Sequence, residues 1–327
     1  MENEKSEMNE KKYLGIDIGG TAIKLGIIND AFEVLYRSET PVDRDGEEHV
    51  METVFRAVEE LLDEASLEAH ALAGIGVSAA GCVEKDRGAI AKNGGNVPNW
   101  SHTEVAGPLS ERFGVTATLV NDGNAVALGE QCAGAASGSD DVLCIVIGTG
   151  IGGGIITGGK LIEGSLGFAG EIGHFPTHIG GKALAEGGDG IYFENRASTA
   201  ALVRMAVKEN SEWNNGRKVF EAASASDERA LALLDRWLDE LAWGIAGFVH
   251  VLNPEIVLIG GGVSAQDDLL IKPLRKKVFN IIKPDFTDGL EIKAASLGND
   301  AGMIGAVCYL RERLEERLNK AGVREDF

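Results

Sequence analysis

Positive charge is scarce in this chain, which has 31 lysine and arginine residues against 51 aspartate and glutamate residues. The formal net charge of −20 argues against nucleic acid or an anionic membrane surface as a partner, because both select clusters of lysine and arginine. It does not exclude a small anionic ligand, since local backbone dipoles can outweigh the global charge. The sequence therefore predicts neither nucleic-acid binding nor membrane binding.

Cysteines and long apolar runs are also rare. The four cysteines are widely spaced and include no CxxC pair, which predicts reduced, buried thiols in a cytoplasmic protein. No apolar run approaches the roughly 20 residues needed to span a bilayer. Residues 1–12 are polar and charged with no apolar segment, so they are expected to form a flexible tail and not a signal peptide. The cysteines are Cys82, Cys132, Cys144 and Cys308.

Glycine, by contrast, is abundant, and its densest cluster directly follows the apolar run Val142–Ile147. That run has the length and β-branched composition of a buried strand. The loop Gly148–Thr149–Gly150 then lets backbone N–H groups approach phosphate oxygens closely. The spacing of these glycines also satisfies a dinucleotide-binding fingerprint, but that fingerprint requires a following helix. Because a short apolar run and a Gly158–Gly159 turn follow instead, the sequence predicts a phosphate loop joined to a β-hairpin.

A second candidate phosphate turn lies near the start of the chain. The strand predicted at Tyr13–Asp17 is followed by Gly19, Gly20 and Thr21, and then by another apolar run. An aspartate beside such a turn can hold Mg²⁺ through water, while the turn N–H groups and the threonine hydroxyl meet phosphate oxygens. A plain hairpin turn uses the same residue types, so the residues alone leave both interpretations open.

Asp122 has two interpretations as well. It follows a predicted strand at Thr116–Val120 and precedes a helical segment, so it can be an N-cap, worth about 1 kcal/mol. It can also be a general base presented into a cleft, because ligands gather at the carboxyl ends of strands. The residues alone favour the cap, and this position is also the natural domain boundary.

Three further loops carry polar or glycine-rich sequence. The loop Asn93–Trp100 is rich in asparagine, which suits sugar hydroxyls and simple turns equally well. Glu171 and His174 are three residues apart and could bind a metal, catalyse, or hold hydroxyl groups, and the absence of an HExxH motif removes the zinc-protease interpretation. Gly260–Gly262 end another predicted strand and could approach an adenine or ribose.

Helical periodicity dominates the region from Ala197 to about Val251. Its apolar residues recur with the spacing of one helix face, and Trp237 and Trp243 are predicted to pack as well. A terminal helix is predicted to begin near Asp300. The predicted core stripe is Leu231, Leu234, Leu238, Leu241, Ile245 and Val249.

Taken together, these loops resemble the ROK family of bacterial sugar kinases, within the actin-like ATPase fold of sugar kinases, hexokinases and heat-shock 70 proteins. The resemblance covers nearly the whole chain after the tail. Any single motif is weak, and the specificity comes from six motifs in this order. They are GIDIGGTAIKLG at 15–26, VNDGNAVALGE at 120–130, IGTGIGGGIITGGKLIEG at 147–164, GEIGH at 170–174, NPEIVLIGGGVS at 253–264 and LGNDAGMIGA at 297–306.

This resemblance implies an α/β fold of two actin-like domains with an interdomain cleft. The small domain would comprise 13–121 plus 300–327, and the large domain 122–299. The implied activity is transfer of the γ-phosphoryl group of ATP, with Mg²⁺, to the 6-hydroxyl of a hexose, and glucose is favoured. The alternatives are an N-acetylhexosamine such as N-acetylmannosamine or N-acetylglucosamine, or a non-catalytic sugar sensor. A cytoplasmic homodimer is implied, and the short segment before Tyr13 argues against a DNA-binding repressor.

The resemblance also implies residue roles. Asp122 would be the catalytic base, and Asp17 would hold Mg²⁺ through water. The sugar would be bound by Gly81, Asn96, Asn121, Glu171, His174 and Glu194. The nucleotide would be bound by Gly19, Gly20, Thr21, Lys24, Gly148, Thr149, Gly150, Gly260, Gly261 and Gly262.

One departure from the family pattern concerns zinc. The family usually follows GEIGH with a CxCGxxGC segment that binds structural zinc together with its histidine. In this chain Ala185, Gly187 and Tyr192 stand where those cysteines would be. Without the three thiolates a tetrahedral zinc site of that design cannot form. Packing around Tyr192 and Phe193 is expected to hold the pocket instead, although an unusual site that includes His178 stays open.

We therefore predict that the purified protein contains no stoichiometric zinc. Elemental analysis after dialysis against metal-free buffer tests this, since a structural zinc site of full affinity retains its ion. One zinc per chain would contradict the prediction.

Overall fold

The computed structural model describes two five-stranded sheets and a short two-stranded ribbon. The first sheet and the ribbon contain β1 (Lys12–Ile18), β2 (Ala22–Asn29), β3 (Val34–Pro41), β4 (Leu72–Ala79), β5 (Cys82–Glu84), β6 (Ala89–Lys92) and β7 (Ala117–Asn121). The second sheet contains β8 (Val142–Ile147), β9 (Ile151–Thr157), β10 (Lys160–Leu161), β11 (Ile256–Gly260) and β12 (Glu291–Ala294). The described residues are 10–46, 48–92, 97–177 and 190–322.

The two five-stranded sheets share one topology. Their strand orders are β3-β2-β1-β4-β7 and β10-β9-β8-β11-β12. In each sheet the first three strands form an antiparallel meander, and two later strands then extend the sheet in parallel pairs. Because β1, β4 and β7 are parallel, their carboxyl ends meet at one edge, which is where ligands gather in such sheets.

Nine α-helices belong to the described part of the chain. None of them is long and apolar enough to cross a membrane. They are α1 (Val50–Glu64), α2 (Ala106–Phe113), α3 (Asp122–Ala133), α4 (Phe193–Ala197), α5 (Thr199–Glu209), α6 (Gly216–Ser224), α7 (Glu228–Leu252), α8 (Lys272–Ile281) and α9 (Ala301–Ala321).

The chain divides into two units. Unit 1 takes the chain up to Ala133, the segment Glu163–Ala169, and the chain from Asn299 onward. Unit 2 takes Gly134–Ile162 and Gly170–Gly298. The expected boundary at 121/122 differs from this division mainly by helix α3, which packs against α9 and so belongs to unit 1.

Helices cover both faces of the first sheet. Leu14 and Ile16 are fully buried and pack in a cluster with Val54 and Val58 of α1. On the opposite face α9 approaches the sheet very closely. A Cβ on Gly76 of β4 would overlap the backbone carbonyl of α9. Glycine at this strand position therefore lets the helix backbone rest on the sheet.

Helices α3 and α9 also meet at glycines. A Cβ on Gly305 would overlap the Ala125 carbonyl, and a Cβ on Gly129 would lie 2.5 Å from the Ala301 carbonyl oxygen. This close crossing brings Cys132 and Cys308 together, with a Cα–Cα distance of 6.7 Å. Their separation of 176 residues gave no local signal of this proximity.

In unit 2 the hairpin that was predicted after the glycine cluster is confirmed. Strand β9 pairs antiparallel with β10, as it does with β8. No helix follows the loop, so the dinucleotide fingerprint has no structural counterpart. The turn between β9 and β10 has positive φ at both Gly158 and Gly159. Two consecutive positive φ angles are the requirement of a type I′ hairpin turn, which explains the glycine pair.

Helix α7 is the core helix of unit 2, as the periodicity predicts, with two corrections. Trp237 is fully buried, and its indole N–H donates to the Ser198 carbonyl at 3.2 Å. Trp243, which was predicted to pack, is 64% exposed. It lies two positions, or about 200° around the helix, from both Leu241 and Ile245, so it points away from the buried face. Leu231 is 39% exposed, since it lies in the first turn of the helix, outside the packed region.

The crossing of α3 and α9 yields a stability prediction. We expect Gly305→Ala to lower the free energy of unfolding by about 2–3 kcal/mol, because the added methyl overlaps a backbone carbonyl that cannot turn away. Gly247→Ala in α7 is the matched control, since the nearest atom to its Cβ position is Phe175 Cε1 at 3.8 Å, an ordinary van der Waals contact. That control should stabilise the protein by up to about 1 kcal/mol through helix propensity. Urea titration distinguishes the two, and equal effects would contradict the packing argument.

A second prediction concerns Glu312 in α9. Burial is the main cause that raises the pKa of this carboxyl from 4.5 to about 7; Arg313 opposes the shift, and Glu316, Glu315 and Glu163 add to it. The folded protein therefore binds a proton there that the unfolded chain has released, and this contribution to stability is lost as pH rises from 4.5 through about 7.

The free energy of unfolding of Glu312→Gln should consequently exceed that of the wild type by on the order of 2 kcal/mol at pH 8 and should equal it near pH 4.5. Thermal unfolding at both pH values checks this, with Glu60→Gln on exposed α1 surface as the control. A difference that does not depend on pH would mean that Glu312 does not carry the raised pKa.

Candidate active site

Asp17 stands at the carboxyl end of β1, where three polar or small neighbours define its position. The Ser78 hydroxyl on neighbouring β4 donates to Asp17 Oδ1 at 2.8 Å. Lys24 faces Asp17 in the antiparallel register of β1 and β2. At the start of α9, a Cβ on Gly302 would lie 2.7 Å from the Asp17 carboxyl carbon. The absence of a side chain there leaves room for the carboxylate.

The environment of Asp17 changes its acidity. Burial raises the pKa of this carboxyl above its ordinary value, and the Ser78 hydrogen bond and the Lys24 charge partly oppose that effect. A buried carboxylate with so few charge partners favours a cation beside it. The adjoining turn is closed by a hydrogen bond from Gly19 N–H to the Ala22 carbonyl at 3.0 Å, and Thr21 is exposed at its tip.

The end of β7 shows which side chain caps helix α3. Asn121 Oδ1 accepts a hydrogen bond from Asn124 N–H at 3.2 Å, so Asn121 caps helix α3. Asn121 Nδ2 donates both to the Gly81 carbonyl at 3.1 Å and to Asp122 Oδ1 at 3.0 Å. Gly123 N–H also donates to Asp122 Oδ1 at 2.9 Å. The exposed Asp122 carboxylate is therefore oriented at the helix start by its neighbours.

In unit 2 the loop after β8 is compact. Gly148 N–H donates to the Gly150 carbonyl at 2.9 Å, and the Gly148 carbonyl accepts from Thr199 N–H at 3.0 Å. Thr149 stands exposed between these two glycines. Gly148 is thus bonded both to Gly150 and to the start of α5, and the threonine is presented at the tip of the loop.

Three side chains predicted to bind sugar lie together in the same unit. Glu171 precedes a short 3₁₀ turn that ends in His174, and Glu194 lies in the first turn of α4. His174 Nδ1 lies 3.2 Å from Glu171 Oε2, and His174 Nε2 lies 3.6 Å from Glu194 Oε1. Imidazole between two carboxylates offers several hydrogen-bond acceptors to a polyhydroxyl ligand.

The expected aromatic support for this cluster is present. The Tyr192 ring meets His174 edge-on with a centroid distance of 5.8 Å, and Phe193 is fully buried against Phe248. Of the other positions considered for zinc, Ala185, Gly187 and His178 lie outside the described residues. The predicted sugar residue Asn96 lies outside them too.

A cavity of about 640 Å³ opens beside Gly148 and Thr149. Gly262 lines it, whereas Gly260 and Gly261, predicted with it, are absent from its walls, and a Cβ on Gly261 would overlap the Ile147 carbonyl. The remaining walls come from the starts of helices α5 and α6. They are Thr199, Ala200, Val203, Arg204, Asn214, Asn215, Gly216 and Arg217, with Val263 and Ile147.

Sequence reasoning missed the wall from α6. Its one local signal was Asn214–Asn215–Gly216, a helix start in which Asn215 Oδ1 accepts from Lys218 N–H at 3.0 Å. That signal predicts a cap and contains nothing about a cavity, because these residues are more than sixty positions from the phosphate loop that they face.

Comparison with known proteins finds similarity to one family along nearly the whole chain. The model of the ROK family matches residues 13–313. The glucokinase of Thermotoga maritima is 33% identical over 94% of this chain and 99% of its own length. The glucokinase of Halalkalibacterium halodurans is 34% identical over 97% of this chain and 100% of its own length. A crystal structure of a ROK family glucokinase from Streptomyces griseus, in complex with glucose and AMPPNP, is 30% identical with a TM-score of 0.78 and covers 92% of this chain and 99% of that one.

These likenesses confirm the fold class that the six motifs implied, an α/β protein of the actin-like ATPase type. They extend over nearly the whole length of both partners in each comparison. The chain belongs to the ROK family.

Proposed function

We propose that this protein is an ATP-dependent hexose kinase that transfers the γ-phosphoryl group to the 6-hydroxyl of glucose. The observation that carries the proposal is the arrangement of unit 2, where the Glu171–His174–Glu194 cluster adjoins a phosphate loop that opens onto a 640 Å³ cavity. Polar side chains for a polyol and a cavity for a nucleotide thus stand on either side of Gly148–Ile151. The similarity to two glucokinases favours glucose over N-acetylhexosamines.

The nucleotide would lie in unit 2 with its base in the cavity. Small-molecule sites typically have volumes of about 300–1,000 Å³, and this cavity of about 640 Å³ falls within that range. Gly262 leaves one wall without a side chain, and Asn214 and Asn215 offer amide groups to a base or ribose. Thr149 at the loop tip would donate its hydroxyl to a terminal phosphate. Gly19, Gly20, Thr21 and Lys24 would contribute the phosphate contacts of unit 1.

Asp122 would accept the proton of the 6-hydroxyl as that oxygen attacks the γ-phosphorus. A carboxylate within hydrogen-bond reach of the hydroxyl can take this proton as the new O–P bond forms. Two hydrogen bonds to Oδ1, from Asn121 and Gly123, hold the carboxyl in one orientation. Asn121 and Gly81, joined by their own hydrogen bond, would line the sugar side of this position.

The residues around Asp17 fit magnesium. Oxygen donors suit Mg²⁺, which is usually held by one or two carboxylates with phosphates and water. In the described part of the chain no group of three or more histidine, cysteine, aspartate or glutamate side chains forms a denser metal site. Asp17 would therefore hold Mg²⁺ through water. When bound, the ion neutralises charge on the β- and γ-phosphates.

Two further properties are part of the proposal. We place the enzyme in the cytoplasm, because its co-substrate is ATP, and we propose a homodimer on the family resemblance. The net charge of −20 supports the view that neither nucleic acid nor a membrane surface is a partner.

Asp122→Asn tests the assignment of the base. We expect kcat to fall by about 10²–10⁴-fold, the contribution of general-base catalysis, with the Kd for glucose nearly unchanged because the amide keeps the shape. A coupled assay of ADP release over a panel of hexoses and N-acetylhexosamines measures turnover, and calorimetry measures glucose binding.

Asp227→Asn is the matched control, since Asp227 also begins a helix and accepts the N–H groups of Arg229 and Ala230 at 2.9 and 3.1 Å. Asparagine caps helices equally well, so this variant should retain full activity. Turnover of Asp122→Asn near the wild-type rate would refute the base assignment. Sugar binding without turnover in the wild type would instead identify a sugar sensor.

A further inference from the structure

A path of polar contacts inside unit 2 joins the sugar cluster to the phosphate loop. The two oxygens of the Glu194 carboxylate have different neighbours. Oε2 accepts a hydrogen bond from Ile151 N–H at 3.3 Å, directly after Gly150. Oε1 lies 3.6 Å from His174 Nε2, and the other imidazole nitrogen lies 3.2 Å from Glu171. One carboxylate thus contacts both the loop and the sugar cluster.

The backbone is shaped around this carboxylate. A Cβ on Gly150 would lie 2.5 Å from Glu194 Oε2, so any larger residue at this position would displace the side chain. A Cβ on Gly173 would overlap the Ile151 carbonyl and would lie 3.4 Å from Glu194 Cβ. The loop, the turn that carries His174 and helix α4 are therefore in direct contact. A change in the position of Glu194 must be felt at Gly150 and Ile151.

We propose that Glu194 couples the two ligands: sugar bound at its carboxylate orders the Gly148–Ile151 loop and so raises the affinity for the nucleotide phosphates. The inference rests on the proposed function of a sugar kinase. It makes Glu194 a positioning residue for the nucleotide in addition to a ligand of the sugar.

The physical basis is the cost of ordering one side chain. Glu194 is 27% exposed, and as a glutamate it loses rotamer freedom when it is fixed. Sugar hydroxyls that donate to it fix its conformation, and hydrogen bonds to a charged acceptor are stronger than those between neutral groups. The nucleotide then binds a loop whose Ile151 anchor is already in place, which is positive coupling between two sites.

Glu171 provides the matched comparison. In the described part of the chain it contacts His174, whereas Glu194 contacts both His174 and the loop. Shortening either glutamate to aspartate keeps the charge and removes one methylene. Both changes should weaken sugar binding, but only Glu194→Asp should become too short to contact His174 and the Ile151 N–H at the same time.

The test is calorimetric titration of AMPPNP with magnesium, in the absence and presence of saturating glucose. In the wild type we expect glucose to lower the Kd of AMPPNP by at least about fivefold, with the same factor for AMPPNP acting on glucose, since coupling is reciprocal. Glu194→Asp should reduce this factor to less than about twofold, and Glu171→Asp should preserve it. Thermal melts verify that both variants are folded.

A second readout follows the loop directly. In ¹H–¹⁵N spectra recorded without nucleotide, glucose should shift the Ile151 amide resonance in the wild type and in Glu171→Asp, but not in Glu194→Asp. Independent binding of the two ligands in the wild type would overturn the inference. So would an unchanged coupling factor in Glu194→Asp, or its equal loss in both variants.

Failure of the proposed function gives a different result. If glucose does not bind the wild type, the proposed substrate is wrong, and the titrations are repeated with the sugar that the ADP-release panel selects. The coupling factor then decides the inference by the same criteria.

Discussion

Contact between backbones at glycine positions is the constraint on which both units of this protein depend. Gly76 lets helix α9 lie against strand β4, and Gly305 lets helix α3 lie against α9. In unit 2, Gly173 places the turn that carries His174 directly on the Ile151 carbonyl. Each contact has no room for a methyl group. Side chains at the ends of these elements are consequently held by rigid backbone and not by flexible loops.

Backbone N–H groups explain how so acidic a protein can provide sites for anionic ligands. The chain has 20 more acidic than basic residues, yet neither phosphate turn depends on a cluster of lysines. Backbone N–H groups and hydroxyls at Thr21 and Thr149 carry the proposed phosphate contacts, at the short range where local dipoles outweigh the distant net charge. Lys24 lies beside Asp17, and Arg204 and Arg217 line the cavity.

Much of the fold was predictable because its signals are local. The β-branched run before Gly148, the Gly158–Gly159 turn and the apolar periodicity of α7 each specify an element from neighbouring residues. The errors arose where exposure depends on other elements. Trp243 lies on the solvent face of a helix whose opposite face is buried, and Leu231 lies beyond the packed turns. Apolar character alone predicts neither outcome.

The sequence by itself determined the elements, the positions of the glycine turns and, through six ordered motifs, the family. Only the tertiary structure decided which distant residues meet. It placed Cys132 beside Cys308, brought Asn214–Arg217 to the phosphate loop, and set Glu194 against Ile151, 43 positions earlier in the chain. The physical reason is that periodicity and turn chemistry act over a few residues, whereas these contacts arise from how whole helices and strands pack.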